Sequence, residues 1–477
     1  MNERRLASIL GRRTARDRLA RDLRDAARCA AAELWLVGGY VRDAALGRRA
    51  TDLDLVSGRG SRRLIAELRR RWSTGGFRFR KRGITTWRFD FDGRSVDIVD
   101  ASRRGLRRDL LRRDFTVNAI AFDLASGAVL DPLGGLAHLR ARRLRLPRAE
   151  ALREDPLRAL RAARLLAQLP RFTLDPEVER GVAGLASGLR RVAGERVRAE
   201  LDKLLAAPDP RRGLACAEKL GVVAAVLPEL VALRCCKAGA GRPDVWRHTL
   251  DAIDRSRSSH GPGAQETRGP DELRLLRWSL LLHDISKPET YAVRADGRPT
   301  FHGHEALGAR RASALLERLR VPGHERQRIC RLILNHLRPG HLADAGAPRR
   351  GLSRLVREAG ADLPLLVRHA ACDALASGSP DAGRRWRLLR RVLADLFELW
   401  RARRDRTALP RLVDGRELMH ELGIEPGPRV GRLLARIHER QAQGRLSSKE
   451  EALAWLRRLA RRGPRPRAAA SGEFEDG

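Results

Sequence analysis

Short apolar runs recur between residues 34 and 130, separated by glycines and turn formers: Leu34-Trp35-Leu36-Val37, Leu53-Asp54-Leu55-Val56, Thr85-Thr86-Trp87-Arg88-Phe89, Ser95-Val96-Asp97-Ile98-Val99 and Ala119-Ile120-Ala121-Phe122. Runs of this length and composition predict strands, and the 3.6-residue spacing across residues 61–71 predicts a helix between them. The region therefore reads as a small mixed α/β domain. From about residue 150 the period lengthens. Leu, Ala and Arg recur at helical spacing, interrupted by Pro and Gly, to about residue 460, which predicts stacked helices. Two Gly- and Pro-containing stretches, Ser256–Pro270 and Gly340–Arg350, predict exposed loops. The segment Arg461–Gly477 passes from basic to acidic without periodicity and predicts a disordered tail.

Composition narrows the class. A chain of 477 residues with 43% hydrophobic and 33% charged side chains folds into a few globular domains. Its 97 Lys+Arg against 59 Asp+Glu leave a net charge of +38, which attracts polyanions such as nucleic acid. Only Lys81, Lys203, Lys219, Lys237, Lys287 and Lys449 are lysines, so the Arg excess also carries the mark of a GC-rich genome. The six cysteines show no C-x-x-C spacing and read as buried thiols of a reducing compartment. No run approaches the roughly 18 apolar residues of a membrane span. The Arg-rich residues 1–28 contain Asp17, Asp22 and Asp25 and read as an amphipathic helix rather than a targeting segment. A soluble, cytoplasmic protein is the expectation.

The densest chemistry lies at Gly38-Gly39-Tyr40-Val41-Arg42, followed by Asp52-Leu53-Asp54. A Gly-Gly pair between strand and helix lets backbone N–H groups approach phosphate, and Arg42 adds positive potential. Taken alone, it is also an ordinary tight turn. Alternation in the next strand puts Asp52 and Asp54 on one face, with Leu53 and Leu55 toward the core, and two aligned carboxylates make a hard-cation site for Mg²⁺ and phosphate. Asp97, isolated among apolar residues, is a candidate third carboxylate, with Asp92 and Asp100 as competitors.

From Leu36 to Leu201 five segments in order resemble the class II tRNA nucleotidyltransferase and bacterial poly(A) polymerase family of the polymerase-β-like superfamily. They are Leu36–Val56, Arg112–Ala119 (RRDFTVNA), Asp131–Leu136, Glu154–Arg161 (EDPLRALR) and Glu195–Leu201. The resemblance implies that Asp52 and Asp54 hold the metal and that Gly39, Arg42, Arg113, Arg158 and Arg161 contact the nucleotide, with Gly38 alongside. Asp155, Arg158 and Arg161 recur every three residues, so one helix face would offer acceptors and forked donors to a base edge. Two departures stand out. The segment Ile98–Arg108 is shorter than the loop many full CCA-adding relatives carry, as in variants that add part of the CCA end. His138 occupies a position where the family has aspartate.

A second cluster lies in the helical body: His248, then His283-Asp284 after an apolar helical run, then His304, His336 and Asp373. Adjacent polar groups behind an apolar run need partners such as a metal ion. The ordered set, with the segments Val245–Leu250, Leu281–Pro288 and His302–Ala309, resembles the HD phosphohydrolase superfamily. That resemblance implies one or two divalent metals held by His248, His283, Asp284 and Asp373, with His304 and His336 as further candidates. Ser286 replaces the glycine usual in HDxGKP. The stretch Asp414–Gly431, followed by Ser448–Ala452, is similar to the closing helices of HD-bearing nucleotidyltransferases and reads as an RNA-binding element in which Gly427 and Gly431 start a helix.

The expected architecture is an α+β multidomain chain. A polymerase-β-like nucleotidyltransferase head over residues 1–145 leads into an all-α body: a helical neck over 146–235, an HD domain over 236–400 and an RNA-binding element over 401–460. The tail over 461–477 follows. The expected activity is Mg²⁺-dependent addition of C and/or A residues from CTP and ATP to the 3′ end of tRNA, with a second divalent metal in the HD domain. A poly(A) polymerase, an HD phosphohydrolase carrying a transferase relic, and a non-catalytic RNA-binding protein are the alternatives.

Overall fold

The computed structural model describes residues 1–49, 52–81, 83–91, 93–183, 186–237, 243–258, 263–377, 382–408, 411–442 and 445–461. Asp92 and the tail from residue 462 onward lie outside the described residues. The chain divides into two compact units, one of residues 1–337 and 368–386, the other of residues 338–367 and 387–477.

The first unit opens with two helices rather than one, α1 (Glu3–Arg16) and α2 (Arg18–Cys29). Asp17 makes the break. Its extended backbone ends α1, and its carboxylate accepts from the Leu19 and Ala20 N–H groups as the cap of α2. Seven strands follow: β1 (Leu34–Val37), β2 (Leu53–Ser57), β3 (Phe77–Lys81), β4 (Ile84–Phe91), β5 (Arg94–Asp100), β6 (Ala121–Asp123) and β7 (Val129–Leu130). They form one sheet in the order β3-β4-β5-β2-β1-β6-β7, with β2 and β5 parallel and the other neighbours antiparallel. Between them lie α3 (Gly39–Ala45), α4 (Ser61–Trp72) and α5 (Leu106–Leu110), and α6 (Gly135–Ala141) follows β7. Val37, Val56, Ala101, Leu110, Ala119 and Ala121 form a core cluster against the sheet, with Val37 and Val56 on the face that also carries Asp54. The last predicted strand starts two residues late, because Thr116–Asn118 closes a 3₁₀ turn that leaves Ala119 outside the ladder.

The neck begins with α7 (Ala151–Glu154) and α8 (Leu157–Gln168). The Leu- and Ala-rich α8 buries Leu157, Leu160, Ala163 and Leu166, and its three-residue arginine spacing lies elsewhere on the helix. Behind it come α9 (Pro176–Ala183), α10 (Gly194–Leu205), α11 (Pro210–Lys219) and α12 (Val222–Val226). The HD region contributes α13 (Val245–Arg255), α14 (Pro270–Leu282), α15 (His304–Arg318) and α16 (Gly323–Asn335). Residues 368–376 of α19 (Leu363–Ala376) complete this unit's cluster. The Ser256–Pro270 stretch is not wholly exposed. Ala264 and Thr267 are buried, and the Arg368 guanidinium donates to Thr267 O and Oγ1 and to the Ser256 and Ser258 carbonyls.

The second unit contains α17 (Arg338–Asp344) and α18 (Arg349–Ala359), which occupy most of the predicted 340–350 loop; only Ala345–Pro348 separates them. It continues with α20 (Ala382–Ala408), whose first residues belong to the other unit, then α21 (Gly415–Leu422), α22 (Pro428–Ala442) and α23 (Lys449–Arg461). Asp414 and Glu417 form a capping box on α21, and Val413, Leu418, Val430, Leu433, Ile437, Trp455 and Leu456 make the core. Helix α22 begins directly after Gly427, with Gly431 in its first turn. No cysteine is bridged, but only Cys236 and Cys372 are buried; Cys29 and Cys235 are exposed. Among the described residues no helix is long and apolar enough to cross a membrane.

Candidate functional site

The β1–α3 turn is built by Gly38, whose φ of +73° places it where a side chain is strained. A Cβ there would lie 2.7 Å from Asp54 Oδ2 and 3.0 Å from Arg113 Nη1, so the turn must be bare to sit against the carboxylate. Asp52 immediately precedes β2, and Asp54 is its second residue. In the parallel β2–β5 ladder Asp54 pairs directly with Asp97. That register sets Asp97 directly beside Asp54, whereas Asp100 pairs with Ser57 at the strand end.

These groups line a cleft of about 640 Å³, together with Gly39, Arg42, Arg49, Arg112, Arg113, Arg158, Arg161 and Lys203. Asp54 opens to the cleft but is crowded by protein. Desolvation raises its pKa, the nearby Asp97, Asp52 and Asp114 add to the rise, and Arg113 opposes it. Clustered carboxylates are an excess of negative charge that a divalent cation offsets, so the donor set fits a hard divalent cation.

The arginines are held in place by their own partners. The Arg42 Nε and Nη2 donate to Asp43, and its Nη1 donates to Asn118 Oδ1 at 2.9 Å. Arg113 forks onto Asp109 at 3.2 Å. Arg161 donates from Nε to Glu200 Oε1 at 2.9 Å and lies 3.8 Å from Asp114. Arg158 is buried; its Nη1 donates to Ala151 O at 2.7 Å and its Nη2 to Arg112 O.

Asp155 departs from the expected helix face. It caps α7 in an extended conformation (φ −141°), ahead of α8, because Pro156 turns the chain there. It lines a second hollow beside the cleft, and Arg196 donates to it at 3.0 Å. Asp114, Asn118 and Glu200 also line the cleft and escape a reading that looks only for nucleotide contacts, although all three lie within the RRDFTVNA and Glu195–Leu201 segments. His138 accepts or donates at Nδ1 to Thr116 Oγ1 at 3.0 Å, and burial, reinforced by Arg145, lowers its pKa.

The second cluster is equally concrete. His248, His283 and Asp373 place ligand atoms within 4.8 Å of one another, as do Asp284, His304 and His336. His248 Nε2 meets Asp373 Oδ1 at 2.9 Å, His283 Nε2 lies 3.1 Å from Asp284 Oδ2, and Lys287 Nζ donates to Asp284 Oδ2 at 2.7 Å. Each of the four imidazoles bonds a backbone carbonyl through Nδ1, at Ala376, Leu280, Phe301 and Ile333, which leaves Nε2 for the interior. Burial disfavours a charged His283, but Asp284 and Asp373 outweigh it and hold its pKa at about 10. Burial and the neighbouring His283 push His336 down to about 3. The Nε2 of His283 and Oδ1 of Asp284 are buried without a hydrogen-bond partner, so the donor set fits a divalent metal. His369, missed in the sequence because its motif is unremarkable, is buried against His283 and His336 and bonds Ser279 Oγ at 2.9 Å.

Comparison with known proteins places these sites in context. Residues 34–145 match the "Poly A polymerase head domain", 171–233 the "Probable RNA and SrmB-binding site of polymerase A", 250–375 the "HD domain" and 410–456 "tRNA nucleotidyltransferase domain 2 putative". An A-adding tRNA nucleotidyltransferase of Deinococcus radiodurans is 38% identical, over 90% of this chain and 96% of its own. A CC-adding tRNA nucleotidyltransferase of Thermus thermophilus is 36% identical, over 91% and 95%. In fold, the chain is similar to the Thermotoga maritima CCA-adding enzyme complexed with tRNA, at a TM-score of 0.55 and 20% identity over 92% of this chain and 95% of that one.

Proposed function

The chain belongs to the tRNA nucleotidyltransferase family, and from that premise we propose that it adds C or A residues from CTP or ATP to the 3′ end of tRNA without a nucleic-acid template. The supporting observation is the in-register pairing of Asp54 with Asp97 beneath the Gly38 turn, inside a cleft walled by arginines. In this reading Asp52, Asp54 and Asp97 would hold Mg²⁺, which would supply positive charge for an in-line displacement at phosphorus. Gly38 and Gly39 offer bare backbone to the triphosphate, and Arg42 and Arg113 neutralise it. Arg158 and Arg161, with Asp155 steadied by Arg196, present the donors and acceptor that select the base edge. The 3′-hydroxyl of the RNA attacks the α-phosphorus, and pyrophosphate leaves toward the arginine wall. The basic body holds the tRNA through its backbone and shape.

The turn itself makes a sharp test of this arrangement. Gly38→Ala is expected to cut nucleotide incorporation about 10²-fold, since a sub-ångström displacement of the Asp54 carboxylate misplaces the reacting groups. Steady-state kinetics with far-ultraviolet circular dichroism as a fold check measure it.

The short Ile98–Arg108 segment and the A-adding and CC-adding names of the relatives support a narrower product: part of the CCA terminus rather than all of it. The deciding experiment supplies tRNA ending before CCA and tRNA ending in CC, each with CTP and ATP separately, and reads product length. One of the two tRNAs is expected to be extended. Extension of both tRNAs, the first by CTP and the second by ATP, contradicts the narrower product, long adenylate tails indicate a poly(A) polymerase, and no incorporation indicates an RNA-binding protein.

The HD cluster supports a second site in the same chain. His248, His283, Asp284, His304, His336 and Asp373 would hold one or two divalent ions, whose chemistry there is hydrolysis of a phosphoester. The unpartnered buried atoms of His283 and Asp284 favour this reading over a purely structural cluster.

A further inference from the structure

The sheet face that carries Asp54 continues past the cleft. One row of directly opposed residues runs Asp54, Asp97, Arg88, Phe77 across β2, β5, β4 and β3, and the next runs Val99, Thr86, Phe79. Opposed residues share a face, so acid groups at one end of the row lead to aromatic rings at the other. Phe77 and Phe79 stack with ring centroids 6.0 Å apart and 27° between planes, and Phe77 is 68% exposed. The Arg88 guanidinium forks onto Asp97 at 2.6 and 2.7 Å and lies 5.6 Å over the Phe79 ring. On the other face of the same edge, Arg69 and Arg78 lie over Trp87. A hollow of about 460 Å³ runs along this surface, with Phe79, Thr86 and Val99 on the sheet side. Its other wall includes Arg112, Arg158 and Arg161, which also line the metal cleft.

A stacked ring pair on an edge strand, with Phe77 exposed and Phe79 half-buried beneath it, is an association hazard unless a partner uses it. The flanking side chains here are arginines, and the apolar area is two rings wide, which suits a chain alternating flat bases with phosphates better than an apolar protein face. The hollow is continuous with the cleft that receives the 3′ end in the proposed function. We propose that the β3–β4 edge, with Phe77 and Phe79 as stacking rings and the Arg88–Asp97 pair as its link to the metal-binding carboxylates, is the platform for the unpaired RNA bases just upstream of the reacting 3′ end. The inference rests on the proposed function for the identity of that RNA.

The test uses the full chain and tRNA carrying 2-aminopurine in its single-stranded 3′ segment. Stacking on the platform quenches the fluorophore. Phe77→Ser, an exposed position that the fold tolerates, should lose most of that quenching and raise the KM for tRNA about ten-fold, leaving the KM for the nucleotide unchanged. Phe77→Trp should restore both. Unchanged quenching and KM in Phe77→Ser, or a wild-type dimer that this variant dissociates with no change in RNA affinity, overturns the proposal. If the wild type incorporates no nucleotide, the functional reading fails separately, and loss of quenching in the variant still supports the platform.

Discussion

Asp54→Asn is expected to reduce nucleotide incorporation by at least about 10³-fold while tRNA binding persists, because it deletes one of the charges that hold the metal but leaves the arginine walls intact. The variant should not unfold. Leu53 and Leu55, on either side, carry the packing, while the Asp54 side chain opens to the cleft. Its stability should move the other way. The folded-state pKa is raised above 3.8, chiefly by desolvation and then by Asp97, Asp52 and Asp114 against the pull of Arg113. A raised carboxylate pKa means that the folded state holds its proton more tightly than the unfolded chain, so stability falls as pH rises through that window and the cost is fully present above the folded-state value. Metal-free Asp54→Asn is therefore expected to melt at or above the wild-type temperature at pH 7.5, with the difference vanishing below the unfolded value. Thermal unfolding in chelator, across pH, measures both signs.

Asp373→Asn should produce the mirror-image phenotype. Asp373 meets His248 Nε2 at 2.9 Å and His283 Nε2 at 3.6 Å, and replacing a ligand oxygen with an amide nitrogen weakens a first-sphere contact while preserving shape. Affinity of the HD cluster for Mn²⁺ is expected to fall at least about 100-fold, with nucleotide incorporation unchanged. Calorimetry in the Asp54→Asn background isolates this cluster from the cleft. Since His283 is held protonated to about pH 10 when no metal is bound, binding there must release that proton, and affinity should rise with pH. Chelation should correspondingly lower the wild-type melting temperature, because a ligand at about 100 times its Kd contributes about 2.7 kcal/mol.

Which parts of this molecule are written locally in the chain is clear from where expectation and structure agree. Leu34–Val37 is a strand with the predicted bounds, and the helix expected at 61–71 spans Ser61–Trp72, because each has a period, a composition and a glycine at one end, Gly38 after the strand and Gly60 before the helix. The Asp52-x-Asp54 pair and the HD cluster were visible for a similar reason: charged or metal-ligating residues beside apolar runs need partners. What failed to show was long-range or alternating in the wrong sense. Strand β3, Phe-Arg-Phe-Arg-Lys, carries as much charge as hydrophobicity and is held by its pairing with β4, a fact no local window contains. The choice of Asp97 needed the parallel register with β2, a contact between segments some forty residues apart. Gly340–Arg350 looked like a loop because it is rich in glycine, alanine and proline, yet Pro339 just before it sits in the first turn of α17 and Pro348 caps α18, positions where proline favours a helix. His369 carries no motif, and only packing against His283 and His336 brings it to the cluster.

The central claim is that two acidic side chains at the start of β2, joined by Asp97 of β5, grip a divalent ion against a triphosphate lodged on the Gly38 turn. Soaking crystals of the protein with Mn²⁺ and a non-hydrolysable CTP or ATP analogue, and locating the manganese by anomalous scattering, tests it directly. The expected result is a peak shared by Asp52 and Asp54, with phosphate oxygens on the Gly38 and Gly39 backbone and beside Arg42. Manganese confined to the HD cluster, or a triphosphate bound away from the Gly38 turn, would contradict it.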